Sequence, residues 1–220
     1  AGLIDTGEFN HVVGTYAKNI DASGTDRVDL YINGVLVASD ASSTAINEWD
    51  GGDNAGLGRS DNSLAQQASG GNYEGLLAGF NFYKSALPAE QVTGHYLAVL
   101  NPDAAVRPAA LLDYDADADP DGGTDASWEN TGWIAGRDWT LDPGVTYDGA
   151  PGSLLPGITA AYTFDGTGGG TTGHLQNIVG VDLTQSDGAF EIWFRPDDLS
   201  DNDVILDCGG SGDGMSLALL

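Results

Sequence analysis

The residues of this chain most able to do chemistry are acidic. Asp117-Ala118-Asp119-Pro120-Asp121-Gly122 sets three carboxylates at alternate positions ahead of a glycine. In that pattern Asp side chains converge on one hard cation while the glycine permits a sharp turn. A full calcium loop of this kind ends on Glu at its twelfth position, but here that position is Trp128 and Glu129 follows it. The run therefore reads either as a calcium site on Asp117, Asp119 and Asp121 or as a solvated acidic linker.

Other chemistry finds less support. His11, His95 and His174 are scattered, and no Gly-x-Ser-x-Gly elbow accompanies them. The glycine-rich run 166–173 lacks the Lys that a phosphate loop needs. Asp29-x-Tyr31-x-Asn33 has metal-strand spacing, but Asn33 is needed by a turn and no carboxylate follows. Cys208 is the single cysteine, so no intramolecular disulfide or Cys-based zinc site can form. Sugar binding calls for exposed aromatic faces, and Trp49 and Tyr73 lie in loop-like sequence where stacking is available, as do Trp128 and Trp133.

The elements that must position these residues are strands. The chain has 220 residues, 33 Gly, 8 Pro and a net charge of −26, and its acid is mostly Asp. Only Glu8, Glu48, Glu74, Glu90, Glu129 and Glu191 are glutamates, which leaves 27 Asp among the 33 acidic residues. Asp favours turns and caps where Glu favours helix, so the composition describes many strands joined by Asp/Gly turns. Such a charge repels phosphates and anionic leaflets, which argues against a nucleic-acid partner and against membrane insertion. No apolar run approaches the roughly 20 residues that span a bilayer. The expected location is extracellular or at the cell surface.

Strands are expected at 9–16, 27–33, 35–37, 76–83, 139–141, 158–164, 189–194, 204–208 and 215–220. In 27–33 Val28, Leu30 and Ile32 alternate with Asp29, Tyr31 and Asn33, which predicts a strand with one buried face. Asn33-Gly34 predicts a tight hairpin because both residues tolerate φ > 0. Residues 40–72 read as a long rim loop with one or two short strands. A short helix is expected from Ser85 onward, with Pro88 in its first turn and Leu87, Val92 and Tyr96 facing inward. Residues 101–126 shift in composition and are the best linker candidate.

Three segments resemble a known family. Phe9-Asn10-His11-Val12-Val13-Gly14-Thr15-Tyr16, Val28 to Val37 and Gly75 to Leu87 with Pro88-Ala89-Glu90 are similar to the second half of laminin G-like, concanavalin A-like jelly-roll domains of bacterial surface proteins. Ala161-Tyr162-Thr163-Phe164-Asp165-Gly166, Phe190 to Pro196 and Ile205-Leu206-Asp207 resemble the first half of the same domain. The resemblance implies an all-β antiparallel sandwich with one short helix, its halves in reversed order. Residues 1–100 form the C-terminal-half-like part, 101–157 an acidic linker with connecting strands, and 158–220 the N-terminal-half-like part. It also implies a rim metal site. The family's usual Asp there falls on Ala78, while Asp165 stands as a rim ligand or an ordinary turn residue. Glycosidases of this architecture carry a Glu-x-x-Asp-x-x-Glu-like strand, which is absent, so no enzyme activity is expected.

Between the segment like 215–220 and the segment like Phe9, the family has about two more strands, roughly 20 residues at ordinary strand and turn lengths. The reversal reads as a circular permutation, as a window on a tandem array, or as subunits that complete one another. Complementation between two different surfaces is heterologous and builds a head-to-tail filament. The expected function is a non-enzymatic structural or adhesive subunit that self-associates into a polymer. The alternative is a carbohydrate-binding module with polysaccharide as partner.

Overall fold

The computed structural model describes residues 3–42, 55–59, 71–102, 110, 112–124, 126–172, 177–178, 181–182, 187–199, 202–210 and 213–219. In chain order the elements are β1 (Asn10–Ala17), β2 (Asp26–Ile32), β3 (Val35–Ser42), β4 (Ala55–Leu57), β5 (Gly71–Asn72), β6 (Glu74–Tyr83) and helix α1 (Ala89–Leu100). There follow β7 (Leu112–Asp115), a 3-10 turn (Ala116–Ala118), β8 (Ser127–Trp128), β9 (Trp139–Leu141) and β10 (Val145–Asp148). The last stretch holds β11 (Ala161–Asp165), β12 (Gly170–Thr172), β13 (Asn177–Ile178), β14 (Val181–Asp182), β15 (Gly188–Pro196), β16 (Asp203–Gly210) and β17 (Asp213–Ala218).

These strands make two large sheets and a small hairpin. The first sheet runs β10-β11-β6-β15-β1-β2-β3, with β7 also paired to β6. The second runs β17-β16-β4-β12-β9-β8, with β5 beside β16. Their inner faces share one core. Phe80, Phe190, Ile192 and Phe194 of the first sheet meet Leu57, Trp139, Ile205 and Leu206 of the second. Sheet against sheet with interdigitated apolar faces is the sandwich arrangement. Helix α1 makes a third layer, burying Val92, His95 and Val99 on the outer face of the first sheet.

Alternation along β15 explains why this strand takes the centre. Phe190, Ile192 and Phe194 enter the core between the sheets, while Ala189 and Trp193 enter the apolar clusters of the outer layer. β15 pairs antiparallel with β1 from Asn10↔Phe194 to Tyr16↔Gly188. On its other side it pairs with β6 from Ala189↔Tyr83 to Pro196↔Gly75. Residues 1–100 and 158–220 thus contribute strands to one sandwich, with β15 filling the slot between β1 and β6. On this register Ala78 is the extra residue of a bulge, since Trp193 pairs with Gly79 and Phe194 with Leu77. The bulge shifts parity, which puts both Leu77 and Phe80 in the core.

Most predicted strands are present within a few residues. The Asn33-Gly34 hairpin forms with φ of 50° and 76°, the left-handed geometry of a type I′ turn. α1 begins at Ala89 with Pro88 at its N-cap, and Leu87 and Val92 are buried as expected. β2 differs from expectation in part. Leu30 and Ile32 pack against the core as expected, but Val28 is exposed and Tyr31 on the opposite face is buried, because the outer layer covers the Tyr31 face. The acidic run also differs, since Leu112 and Tyr114 are fully buried core residues of a strand paired with β6. A two-residue alternation lies hidden among its Asp residues. Within 40–72 the structure describes β4 and β5 as the two short strands, and the rest of that segment beyond residue 59 and before residue 55 lies outside the described residues apart from the end of β3.

Candidate functional site

The acidic run forms a compact site at the end of β7. Asp115 caps the 3-10 turn by accepting from the Asp117 backbone N–H at 3.0 Å. That turn delivers Asp119 to a buried position against β11. Asp119 is 9% exposed, and Tyr162 Oη donates to its Oδ2. Its other oxygen, Oδ1, is buried with no hydrogen-bond partner. The Asp119 carbonyl then closes a turn onto Gly122 N–H at 3.1 Å. Asp121 stabilises the far side by accepting from Gly123 N–H at 2.8 Å and Thr124 N–H at 3.2 Å. Gly123, at φ 71°, lies so close to Tyr147 that a Cβ would sit 2.3 Å from its side chain. Glu129 reaches the same point from the end of β8.

Ligand oxygens of Asp119, Asp121 and Glu129 lie within 4.8 Å of one another. Two unit charges about 4 Å apart repel by about 4 kcal/mol at an effective dielectric near 20, so a cation among three carboxylates at this spacing would offset their mutual repulsion. The donor set is all oxygen and all acidic, which suits a hard divalent ion. The unpartnered Asp119 Oδ1 is a vacant acceptor of the right kind. The triad can therefore hold a metal ion. The same charges act on their neighbours: burial first, then the bond to Asp119, pushes the Tyr162 phenol far above its ordinary range. Tyr162 consequently stays protonated as a donor.

The sequence candidates divide. Asp119 and Asp121 belong to the triad; Asp117 does not. Its carboxylate turns to Thr159, accepting from N–H at 3.0 Å and from Oγ1 at 2.6 Å, and so ties the run to the segment before β11. Asp165 is an exposed turn residue whose carboxylate accepts from Thr167 Oγ1 at 2.6 Å and Thr167 N–H at 2.9 Å, bonds that lower its pKa. It is not grouped with other metal-ligating side chains among the described residues. Tyr73 corrects the sugar-stacking expectation: it is fully buried, edge-on to Phe164 and Phe194, with its hydroxyl donating to the Leu76 carbonyl at 3.1 Å. Trp49 lies outside the described residues. Trp128 is likewise buried, whereas Trp133 is 79% exposed.

Glu129 was missed because the calcium-loop pattern asks for position twelve, one residue earlier, where the side chain is the buried Trp128. A second polar cluster escaped for a different reason. Glu191, fully buried on β15, accepts from His11 Nε2 at 2.9 Å, His95 Nδ1 at 2.8 Å, Tyr83 Oη at 2.7 Å and Trp193 Nε1 at 3.3 Å. Three of those donors lie about a hundred or more residues away in the chain. The one local signal is the alternation of 190–194, which sends Glu191 to a face opposite three core residues.

Residues 1–93, from the start of the chain into α1, match the laminin G-type family of the Concanavalin A-like lectin/glucanases superfamily. No curated protein and no solved structure matches the chain. The two antiparallel-rich sheets with one helix match a concanavalin A-like β-sandwich, and the laminin G-type match covers its first 93 residues. At the superfamily level this is the fold of lectin-like and adhesive modules. No helix among the described residues is long and apolar enough to cross a membrane.

Proposed function

We propose that the protein is a non-enzymatic structural and adhesive subunit of an extracellular assembly. The observation that carries this reading is the place of β15. Without this strand from the 158–220 part, the first sheet is split between β1 and β6. The same strand supplied by a neighbouring copy makes the same hydrogen bonds in the same register. Exchange along a row of subunits then joins two different surfaces head to tail, which propagates as a filament unless the rotation closes a ring. Closure within one chain competes through its high effective concentration, so exchange grows with protein concentration. With a net charge of −26 per chain, salt or divalent ions promote it. Light scattering over a concentration series in calcium-containing buffer, with electron microscopy of the same samples, is expected to show linear polymers. A monodisperse monomer throughout overturns the filament.

The ion of the Asp119–Asp121–Glu129 site is calcium in this reading, and it pins the 112–129 segment to β11. Calcium at about 100 times its Kd stabilises the fold by about 2.7 kcal/mol through mass action. An unchanged melting temperature on chelation contradicts this.

One observation favours glycan contact as the adhesive mode. Trp133 is 79% exposed on a loop held by Asn130, whose Nδ2 donates to the Ile134 carbonyl at 2.5 Å and the Gly136 carbonyl at 2.8 Å. A solvent-facing indole on a hydrogen-bonded loop offers an aromatic face for stacking against a sugar ring. Polysaccharide pull-down that survives Trp133→Ala unchanged counts against it.

A further inference from the structure

We infer that the slot between β1 and β6 is keyed to a strand carrying a carboxylate, and that Glu191 is the specificity-determining residue by which the 1–100 part accepts the 158–220 part of this chain. The inference deepens the strand-exchange reading above and rests on it for its use between subunits.

The slot's outer wall presents three donors to one point. His11 Nε2 comes from β1, Tyr83 Oη from β6 and His95 Nδ1 from α1, on residues that are 0%, 4% and 3% exposed. β15 brings the acceptor together with a fourth donor, Trp193 Nε1. A carboxylate only accepts, so each ring nitrogen facing it carries the proton. The outward nitrogens, His11 Nδ1 and His95 Nε2, are buried with no hydrogen-bond partner. Glu191 is therefore the polar contact that orients both imidazoles. The His11 ring also stacks 4.4 Å from the Trp193 ring and 6.1 Å from that of Tyr96.

Consider what other strands meet in this slot. An aliphatic side chain at this position leaves His11 Nε2 and His95 Nδ1 facing no acceptor, and a Lys or Arg brings donors that the two imidazoles meet only by changing tautomer. A Gln offers one accepting oxygen and turns an NH₂ toward the remaining donors. Only a carboxylate accepts from all four. The slot thus discriminates by what it refuses as well as by what it binds. Burial alone raises the Glu191 carboxyl, but the His11 and His95 bonds more than offset this and hold it well below its ordinary range.

The test is a double-mutant cycle on the full chain, with folding equilibria read from chemical denaturation. Glu191→Leu and His95→Leu are each expected to lower the folding constant, Glu191→Leu by about 10²-fold or more, since it leaves buried donors unpaired. Combined, they are expected to lose at least about 10-fold less than the product of the single losses. Losses that simply multiply overturn the key. Should Glu191→Leu not fold, Glu191→Gln keeps the shape and is read against pH. The groups facing Glu191 are His11 on β1, Tyr83 on β6 and His95 on α1. Because its folded pKa is depressed, the carboxylate's contribution is complete above the unfolded value near 4.5 and is lost as pH falls through the folded one. The gap between wild type and Glu191→Gln is expected to narrow on acidification below that value; a gap constant down to pH 3 overturns the proposal. A chain that stays monomeric refutes the filament and leaves the key standing, whereas multiplicative losses refute the key alone.

Discussion

At the residue scale, close approach and unpaired charge decide what each position tolerates. Gly14, in the middle of β1, faces the ring of Phe190 on the neighbouring strand, and a Cβ there would stand 2.2 Å from it. Gly14→Ala is expected to cost about 1–3 kcal/mol in chemical denaturation, because the densely packed core must shift a ring. Asp119 behaves in the opposite sense. With no cation bound, Asp119→Asn relieves repulsion from Asp121 and Glu129, so the variant should match or exceed wild-type stability in chelator. In calcium the order should reverse, since the variant has lost a ligand. Melting curves of both proteins with and without calcium check this, and equal calcium responses contradict the site.

At the element scale, local signals specified what local interactions decide. The Asn33-Gly34 turn was legible because only residues that tolerate φ > 0 fit it, and a Cβ added at Gly34 would stand 3.2 Å from the Tyr96 side chain of α1. Gly34→Val is therefore expected to cost more than about 1 kcal/mol, combining left-handed strain with contact on the helix. The helix was legible from Pro88 and the spacing of Leu87, Val92 and Tyr96. Leu87→Ala, which empties a buried position beneath α1, should cost about 2–5 kcal/mol. What stayed hidden was set by partners distant in sequence. The alternation of β2 placed Leu30 and Ile32 toward the core, but the burial of Tyr31 on the other face depends on the outer layer that covers it. The 112–115 strand was masked by Asp residues whose acidity outweighed the Leu112/Tyr114 alternation. Tyr73 looked loop-like, yet it is buried because β6, β11 and β15 close around it. Of the site, Asp119 and Asp121 were readable from spacing, while Glu129 and the Glu191 cluster required the fold.

At the scale of the whole molecule, the path of the chain decides how the first sheet is closed. The 1–100 and 158–220 parts interleave so that a late strand becomes the central strand of the first sheet. Strands that pair across such sequence distances close long loops before gaining contacts, so folding should be slow for a chain of this size. Stopped-flow refolding monitored by tryptophan fluorescence is expected on the timescale of milliseconds to seconds or longer, not microseconds. The negative charge resides largely outside the two apolar inner faces, which leaves those faces free to pack and makes assembly sensitive to ionic strength.

The central claim is that β15 lies between β1 and β6, whichever copy supplies it. Backbone amide hydrogen exchange of the native protein, resolved to residues 188–196, tests this most directly. Protection of the Phe190–Phe194 amides equal to that of β1 and β6 is predicted, near the limit set by global unfolding. Exchange at the rate of exposed loops would show the slot empty and would contradict the account.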